Sequence, residues 1–271
     1  MKFNRLLLYL FLCCGAFLAL YPFLWMLGAS FKTLNEASTP SLNLLPKVWQ
    51  WSNVTETFRA APFGLYFFNS FLVAGSVCLS VCATSLMAGY AFARLQFKGR
   101  QLLFFIILGS MMVPFELTFI PNFVLISRLG WYNSYAALIV PWCVSAFSIF
   151  LMRQAFLALP RDFYDAAVLD GCGHLRFLVR IGIPLVMPSL VTVALFAFLG
   201  SYNALLWPLI VTADDSCRVV QIGLVAFYSD AGARLNLLMC ASSIIILPTV
   251  LIYFVAQRYF VQTTMGTGIK G

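Results

Sequence analysis

Apolar runs long enough to cross a bilayer recur along this whole chain, and they leave few folds open to it. Six can be placed, at residues 6–30, 68–93, 101–125, 135–152, 184–212 and 236–260. Each is near or above the roughly 20 residues that a helix needs to cross the hydrocarbon core. A β-barrel would show strands of alternating polarity, and these runs are continuous. Only 10% of the residues are charged and 62% are hydrophobic, whereas a soluble domain carries about 25% charged residues. No soluble domain of useful size remains between the runs. The expectation is an all-α integral membrane protein, a single domain over 1–271.

The cations set the orientation, because cytoplasmic loops collect Lys and Arg. With the N-terminus inside, the cytoplasmic segments hold Lys2, Arg5, Arg94, Lys98, Arg100, Arg153, Arg161, Arg176, Arg180, Arg258 and Lys270, eleven in all, against six outside. The loop RLQFKGR at 94–100 is the cleanest signal, with three cations in seven residues. Both termini are therefore expected in the cytoplasm. The first run is too long for a signal peptide and lacks a small-residue cleavage site, so it reads as a retained helix. The net charge of +8 is explained by topology; no basic stripe interleaves with aromatics as nucleic-acid binding requires. In the outer loop 32–67, Trp49, Trp51, Phe58 and Phe63 alternate with polar residues. This is either an interfacial helix or a contact surface for an external partner.

Of eight cysteines, Cys13, Cys14, Cys78, Cys82, Cys143 and Cys240 lie inside apolar runs, while Cys172 and Cys217 fall in loops on opposite sides. A disulfide framework is not expected. Cys78 and Cys82 are one helical turn apart, but no His or carboxylate joins them, so they read as packing residues and no metal site is expected. Ser76, Ser80, Thr84 and Ala88 recur at intervals of four, aligning small residues for close helix contact, either inside this subunit or against a second one.

Polar groups within the runs are the candidates for a solute path. The stretch 109–123 contains Pro114, Glu116, Pro121 and Asn122. Prolines free backbone carbonyls, and an ionisable group in the membrane is costly. Glu116 therefore either faces a path between broken helices or snorkels to the outer interface. Stretch 198–212 contributes Tyr202, Asn203 and Trp207. Aromatic faces beside hydrogen-bonding groups suit a sugar; Asn203 is assigned to the path and Trp207 to an interfacial anchor. His174 is the only histidine and has no nucleophile beside it. No phosphate-binding loop of the GxxxxGK[ST] kind occurs.

Residues 165–188, DAAVLDGCGHLRFLVRIGIPLVMP, form a polar island between two apolar stretches. Asp165, Asp170, Arg176 and Arg180 would each cost about 2.5–3.5 kcal/mol at the bilayer centre, so the island lies in water or against a protein partner. Ala166 and Ala167 present a small face. Asp165, near the start of a short helix, is favoured by the dipole and can pair with an arginine. Gly171 permits a turn that a Cβ would hinder, and Pro184 and Pro188 mark the restart of a membrane helix.

This pattern resembles the EAA loop of ATP-binding-cassette (ABC) importer permeases, with Asp165, Ala166 and Ala167 standing for EAA, Asp170, Gly171 and Cys172 for DGA, and Ile181, Ile183 and Pro184 for the tail. Stretches 111–141, 149–167, 202–212 and 256–271 also look like the maltose-type carbohydrate permeases, in the branch of the second permease subunit with its glycine-rich KG tail. The chain departs from the family in four places: Asp165 replaces Glu, Cys172 replaces Ala, Phe177 precedes the position of the expected aromatic, and Tyr202 replaces a commoner Trp.

The resemblance implies six transmembrane helices with a cytoplasmic coupling loop at 153–183, between helices four and five. It implies ATPase coupling through Asp165, Ala166, Ala167, Asp170, Gly171 and Phe177, and a tail (Gly266, Gly268, Lys270) reaching toward the ATPase subunits. Glu116, Asn122, Tyr202 and Asn203 are the candidates for the substrate pathway. The implied partners are a second homologous permease subunit, two ATP-binding subunits and an external solute-binding protein, in the bacterial inner membrane. This chain would catalyse nothing and bind no cofactor, ATP and Mg belonging to the partner ATPases. The solute would be a sugar, oligosaccharide or related polyol such as a glycerophosphate. The alternative is a self-contained secondary transporter using Glu116; an intramembrane enzyme lacks a nucleophile–base pair.

Overall fold

The structure is a computed structural model that describes residues 2–39, 41–229 and 232–266. In chain order its helices are α1 (Lys2–Ala29), α2 (Leu34–Ser38), α3 (Ser52–Ala60), α4 (Phe63–Arg94), α5 (Arg100–Ser110), α6 (Phe115–Arg128), α7 (Tyr135–Ile139) and α8 (Ala146–Ala158), followed by α9 (Arg161–Leu169), α10 (His174–Phe177), α11 (Ile183–Tyr202), α12 (Leu206–Val211) and α13 (Leu235–Gly266). A two-stranded antiparallel hairpin, β1 (Tyr228–Ser229) with β2 (Gly232–Ala233), pairs Tyr228 with Ala233 and Ser229 with Gly232.

Among the described residues, four continuous helices are long and apolar enough to cross a membrane: 7–29, 63–94, 174–202 and 235–258. Two more candidates are bent pairs: α5 with α6, turning by 96°, and the segment Tyr135–Trp142 with α8, turning by 42°. Counting each pair as one span gives six.

Three expected runs are broken, each for a local reason. Run 101–125 stops at Ser110 and restarts at Phe115, with Pro114 held extended at ψ 133° between the halves. A proline lacks the donor that would continue α5 and biases the preceding residue out of the helical region. Run 135–152 breaks around Pro141; Ser145 then caps α8, its Oγ accepting the Ser148 N–H at 3.2 Å, and α8 runs on to Ala158. Run 184–212 ends its long helix at Tyr202, and α12 is a separate piece.

The start of that last helix also differs from the reading of Pro184 as a restart. Residues 174–202 are one continuous helix, widened to a π-helical turn over Leu178–Gly182, where the Ile183 N–H bonds to Leu178 O. Pro184 cannot donate back to the preceding turn, and the wider turn absorbs that loss. The expected coupling loop at 153–183 is therefore mostly helical: the end of α8, then α9, then the first turns of the long helix.

The chain divides into two compact units, residues 1–66 with 220–249 and residues 67–219 with 250–271. In the first, Asn53 donates through Nδ2 to Ser30 O and Lys32 O, both at 2.9 Å, and accepts from Asn236 Nδ2 at 3.1 Å. Lys32 is buried, its Nζ donating to Asn43 O at 2.6 Å. Most of α1 is exposed along its apolar length. In the second unit, Val77, Val81, Tyr90, Met152, Phe156, Phe177, Val186 and Val193 pack as one core. Here α4 and α8 meet closely at Gly89, where a Cβ would lie 2.6 Å from Met152 Cβ. The small stripe Ser76, Ser80, Thr84 and Ala88 is only half-buried; within it, Thr84 Oγ1 reaches Cys143 O at 3.1 Å.

Candidate functional site

Two places in the second unit hold the candidate residues. The first is a cavity of about 710 Å³, and all three helix breaks open onto it. Phe115 and Glu116 come from the α5–α6 break, Trp142 and Ser145 from the α7–α8 break, and Asn203 and Leu205 from the α11–α12 break. Val73, Val77 and Val81 of α4 form its apolar floor. Helix breaks bring polar backbone and side chains to a membrane interior only where protein or a cavity receives them.

One wall is aromatic. Phe115 lies 4.4 Å from Phe119 and 4.6 Å from Trp142, and Trp207 closes the wall at 6.1 Å from Phe119 and 6.3 Å from Trp142 (ring centroids). Trp207 is buried, and its Nε1–H donates to Ala137 O at 2.9 Å. It is therefore no interfacial anchor: the indole is spent inside the chain, on a carbonyl seventy residues away. Trp142 and Ser145 escaped the sequence reading, although Pro141 beside Trp142 marked the break that places them.

Of the four expected path residues, Glu116 and Asn203 line the cavity, and Tyr202 and Asn122 do not. Glu116 sits in the first turn of α6, where the helix dipole favours a carboxylate. Asn203 is exposed at the end of α11 rather than buried as an amide seeking a partner would be. Tyr202, 1% exposed, packs between Phe71 and Phe198 at 5.8 Å from each. Asn122 lies half-buried on α6.

The second place is α9 and the turn after it. Asp165 and Ala166 are exposed and Ala167 is buried against the core. Gly171 has φ +71°, and the amides of Gly171 and Cys172 bond back to Val168 O at 3.0 Å and Ala167 O at 2.9 Å. That is a Schellman cap, whose left-handed residue favours glycine. Asp170 is the capping residue just before it, exposed to solvent. Phe177, by contrast, is 2% exposed and packs on Tyr90 and Tyr164 at 5.8 and 5.2 Å. It offers no ring to a partner and instead ties α9 and α10 to α4. His174 Nδ1 completes this cluster, 2.9 Å from Tyr90 Oη and 3.2 Å from Tyr164 Oη. The apolar side chains that do project here are Leu169, 88% exposed, and Leu175, 74% exposed.

Around this surface the cytoplasmic cations of the sequence reading become structural. Arg94 donates to Phe156 O at 2.9 Å and Leu159 O at 2.7 Å, satisfying carbonyls at the C-terminus of α8. Arg153 lies 4.2 Å over the Phe104 ring. Cys78 Sγ contacts Ala194 O at 3.4 Å, a packing contact between α4 and α11. Of the tail, Gly266 is the last residue of α13, and Gly268 and Lys270 lie outside the described residues.

Comparison with known proteins gives a consistent answer. Residues 80–265 match the family described as binding-protein-dependent transport system inner membrane component. The arabinooligosaccharides transport system permease protein of Bacillus subtilis is 35% identical over 270 residues, covering 98% of this chain and 96% of the relative. The sn-glycerol-3-phosphate transport system permease protein of Yersinia enterocolitica is 32% identical, covering 93% and 92%. The diacetylchitobiose uptake system permease protein of Streptomyces coelicolor is 32% identical, covering 89% and 81%. In fold, the chain is similar to a chain in the crystal structure of a bacterial ABC transporter involved in importing the acidic polysaccharide alginate, with a TM-score of 0.83, 22% identity, and coverage of 96% and 97%. None of these relatives supports a self-contained secondary transporter using Glu116.

Proposed function

The chain belongs to the binding-protein-dependent transport inner membrane components, the permease family of ABC importers, and from that premise we propose that it forms one half of a translocation pathway for a sugar, oligosaccharide or related polyol. The cavity between the three helix breaks is the part of that pathway carried by this subunit, with Glu116 and Asn203 on its wall. A second, homologous permease subunit supplies the other half. Two ATP-binding subunits dock from the cytoplasm, an external solute-binding protein delivers the cargo, and ATP and Mg stay with the ATPases.

Residues 1–271 act as one permease domain with six spans in the inner membrane. Both bent helix pairs count as spans, and both termini lie in the cytoplasm. Helix α1, apolar and exposed over most of its length from Leu7 onward, faces lipid or the partner permease.

The observation that carries the reading is the capped helix α9. Its exposed Asp165 and Ala166, the Asp170–Gly171 turn and the projecting Leu169 make a small, shaped knob on a rigid base. Such a knob fits a groove on an ATPase, Asp165 pairing with a cation there. Phe177 acts from inside: it fastens α9 to α4 through Tyr90, so a push on the knob moves a membrane helix. The tail at Gly266, Gly268 and Lys270 reaches toward the same ATPase subunits.

The test is an Asp165→Lys variant purified with its complex. ATP hydrolysis should persist while solute uptake falls at least about tenfold, as expected when one partner of a docked charge pair is reversed. Normal uptake by a well-expressed variant overturns the docking role, and failure of wild-type protein to co-purify with an ATP-binding subunit overturns the whole reading.

A further inference from the structure

The C-terminal ends of α4 and α8 lie side by side, and each is capped by an arginine of the other. Arg94, the last residue of α4, donates through Nη2 to Phe156 O at 2.9 Å and Leu159 O at 2.7 Å. Arg153 of α8 donates through Nε to Phe92 O at 3.3 Å. Two helix C-termini brought together place two negative dipole ends next to each other, and cations between them offset that repulsion. Arg94 Nε is buried without a hydrogen-bond partner, so the side chain is committed to those two carbonyls.

One turn back on α4, Tyr90 holds the far side of α9. Its Oη lies 2.9 Å from His174 Nδ1, and its ring packs on Phe156 at 5.6 Å and Phe177 at 5.8 Å. Tyr164 of α9 reaches the same His174 nitrogen at 3.2 Å and packs on Phe177 at 5.2 Å. Leu159 stands two residues before α9 begins, and His174 five residues after it ends. Helix α9 is therefore fixed to α4 on both sides, by Arg94 at one and by Tyr90 at the other.

From there α4 leads to the cavity. Val81, Val77 and Val73 form the cavity floor, and Val81 is nine residues from Tyr90, about 14 Å along the helix. No proline interrupts α4. The other helices that line the cavity, α6, α7, α8, α11 and α12, each start or end at a break beside it. Element ends absorb movement by changing φ and ψ, whereas a continuous helix passes it on.

We propose that Arg94 and Tyr90 are positioning residues for coupling: they rivet α9 to α4 at two points, so that α9, α4 and the cavity floor move as one body. The inference rests on the reading of α9 as the ATPase-docking helix and adds the route by which its movement reaches the cavity.

The experiment uses the complete importer in lipid nanodiscs, with the native cysteines of this chain replaced. Spin labels are carried on Val168→Cys of α9 and Leu79→Cys of α4, both exposed positions. The distance between them is read by pulsed electron paramagnetic resonance, without nucleotide and after trapping with MgATP and vanadate. With Arg94 and Tyr90 intact, the distance should be the same in both states. In Tyr90→Phe/Arg94→Met it should differ between them, because α9 then moves without α4. A purely structural loss would shift both states equally. Arg94→Lys, which keeps a cation able to donate to both carbonyls, should preserve the constancy. Arg94→Met alone, with α9 still held at Tyr90, should give a smaller state-dependent shift and keeps the test open if the double variant fails to assemble. A state-dependent distance with both residues intact, or constancy in the variants that lack the Arg94 cation, overturns the proposal. Failure of the unsubstituted chain to co-purify with an ATP-binding subunit would strike the permease reading; the wrong distances with that subunit in place strike this inference alone.

Discussion

Gly171 shows how far one residue type can be read. Its φ of +71° is a conformation that a Cβ disfavours, and the amides of Gly171 and Cys172 close the cap only in that geometry. Gly171→Ala should loosen the turn by about 1 kcal/mol, seen as faster hydrogen exchange at the Cys172 amide. Gly173→Ala, at an ordinary φ of −70°, should leave that amide unchanged. A glycine after an acid-capped helix was legible from sequence because its reason is local. Trp207 was not, because an interfacial indole and a buried one share the same neighbours in sequence and differ only in the distant Ala137 carbonyl. Asp214 was missed for a similar reason. Ser216 donates to it through both hydroxyl and amide, and Asn133 Nδ2 adds a third bond at 2.8 Å. These donors, led by the Ser216 hydroxyl, hold its carboxyl below the ordinary carboxylate range. A depressed value means that the stabilisation is present above the unfolded-state pKa of about 4 and lost as pH falls through the folded one. The protection of the Ser216 amide, the slowing of its exchange relative to that of an unstructured peptide at the same pH, should therefore be high at neutral pH and fall on acidification, and Asp214→Asn should remove that dependence.

At the scale of elements, existence was legible and continuity was not. Every expected run contains helix, since length and apolarity suffice to specify it. Where each helix breaks depends on whether something receives the freed polar groups. Pro114 breaks its helix pair by 96°, while Pro121, seven residues on, is carried inside α6. The two prolines look alike in sequence; the difference is that Phe115 and Glu116 turn into a cavity. Close packing followed the same rule. The stripe from Ser76 to Ala88 stays half-buried within this chain, while α4 and α8 meet closely at Gly89, against Met152. Gly89→Ala should therefore overpack the interface and cost about 1–3 kcal/mol. Gly75→Ala, whose new methyl meets nothing within 4 Å, should be neutral or stabilising by about 0.5–1 kcal/mol. Thermal melts of the two variants in detergent decide between them.

For the whole molecule, orientation is the expectation that most needs a direct measurement. Lys47 and Lys98 are both exposed, and Lys32 is buried on Asn43. With cytoplasmic termini, a membrane-impermeant amine reagent should label Lys47 from outside intact cells and Lys98 only in inverted vesicles, with Lys32 silent in both; the reverse pattern overturns the topology. Sequence by itself determined that this chain is helical, lies in a membrane and carries one polar island, because hydropathy, cation bias and an alanine–glycine spacing are all local properties of the chain. The tertiary structure decided what those pieces do together. It gathered three helix breaks around one cavity, buried Trp207 and Tyr202, set Glu116 and Asn203 facing that space, and turned Phe177 inward so that α9 is held to the core. Each of those outcomes rests on contacts between residues far apart in sequence, and burial and pairing at such distances are fixed only when the chain has folded.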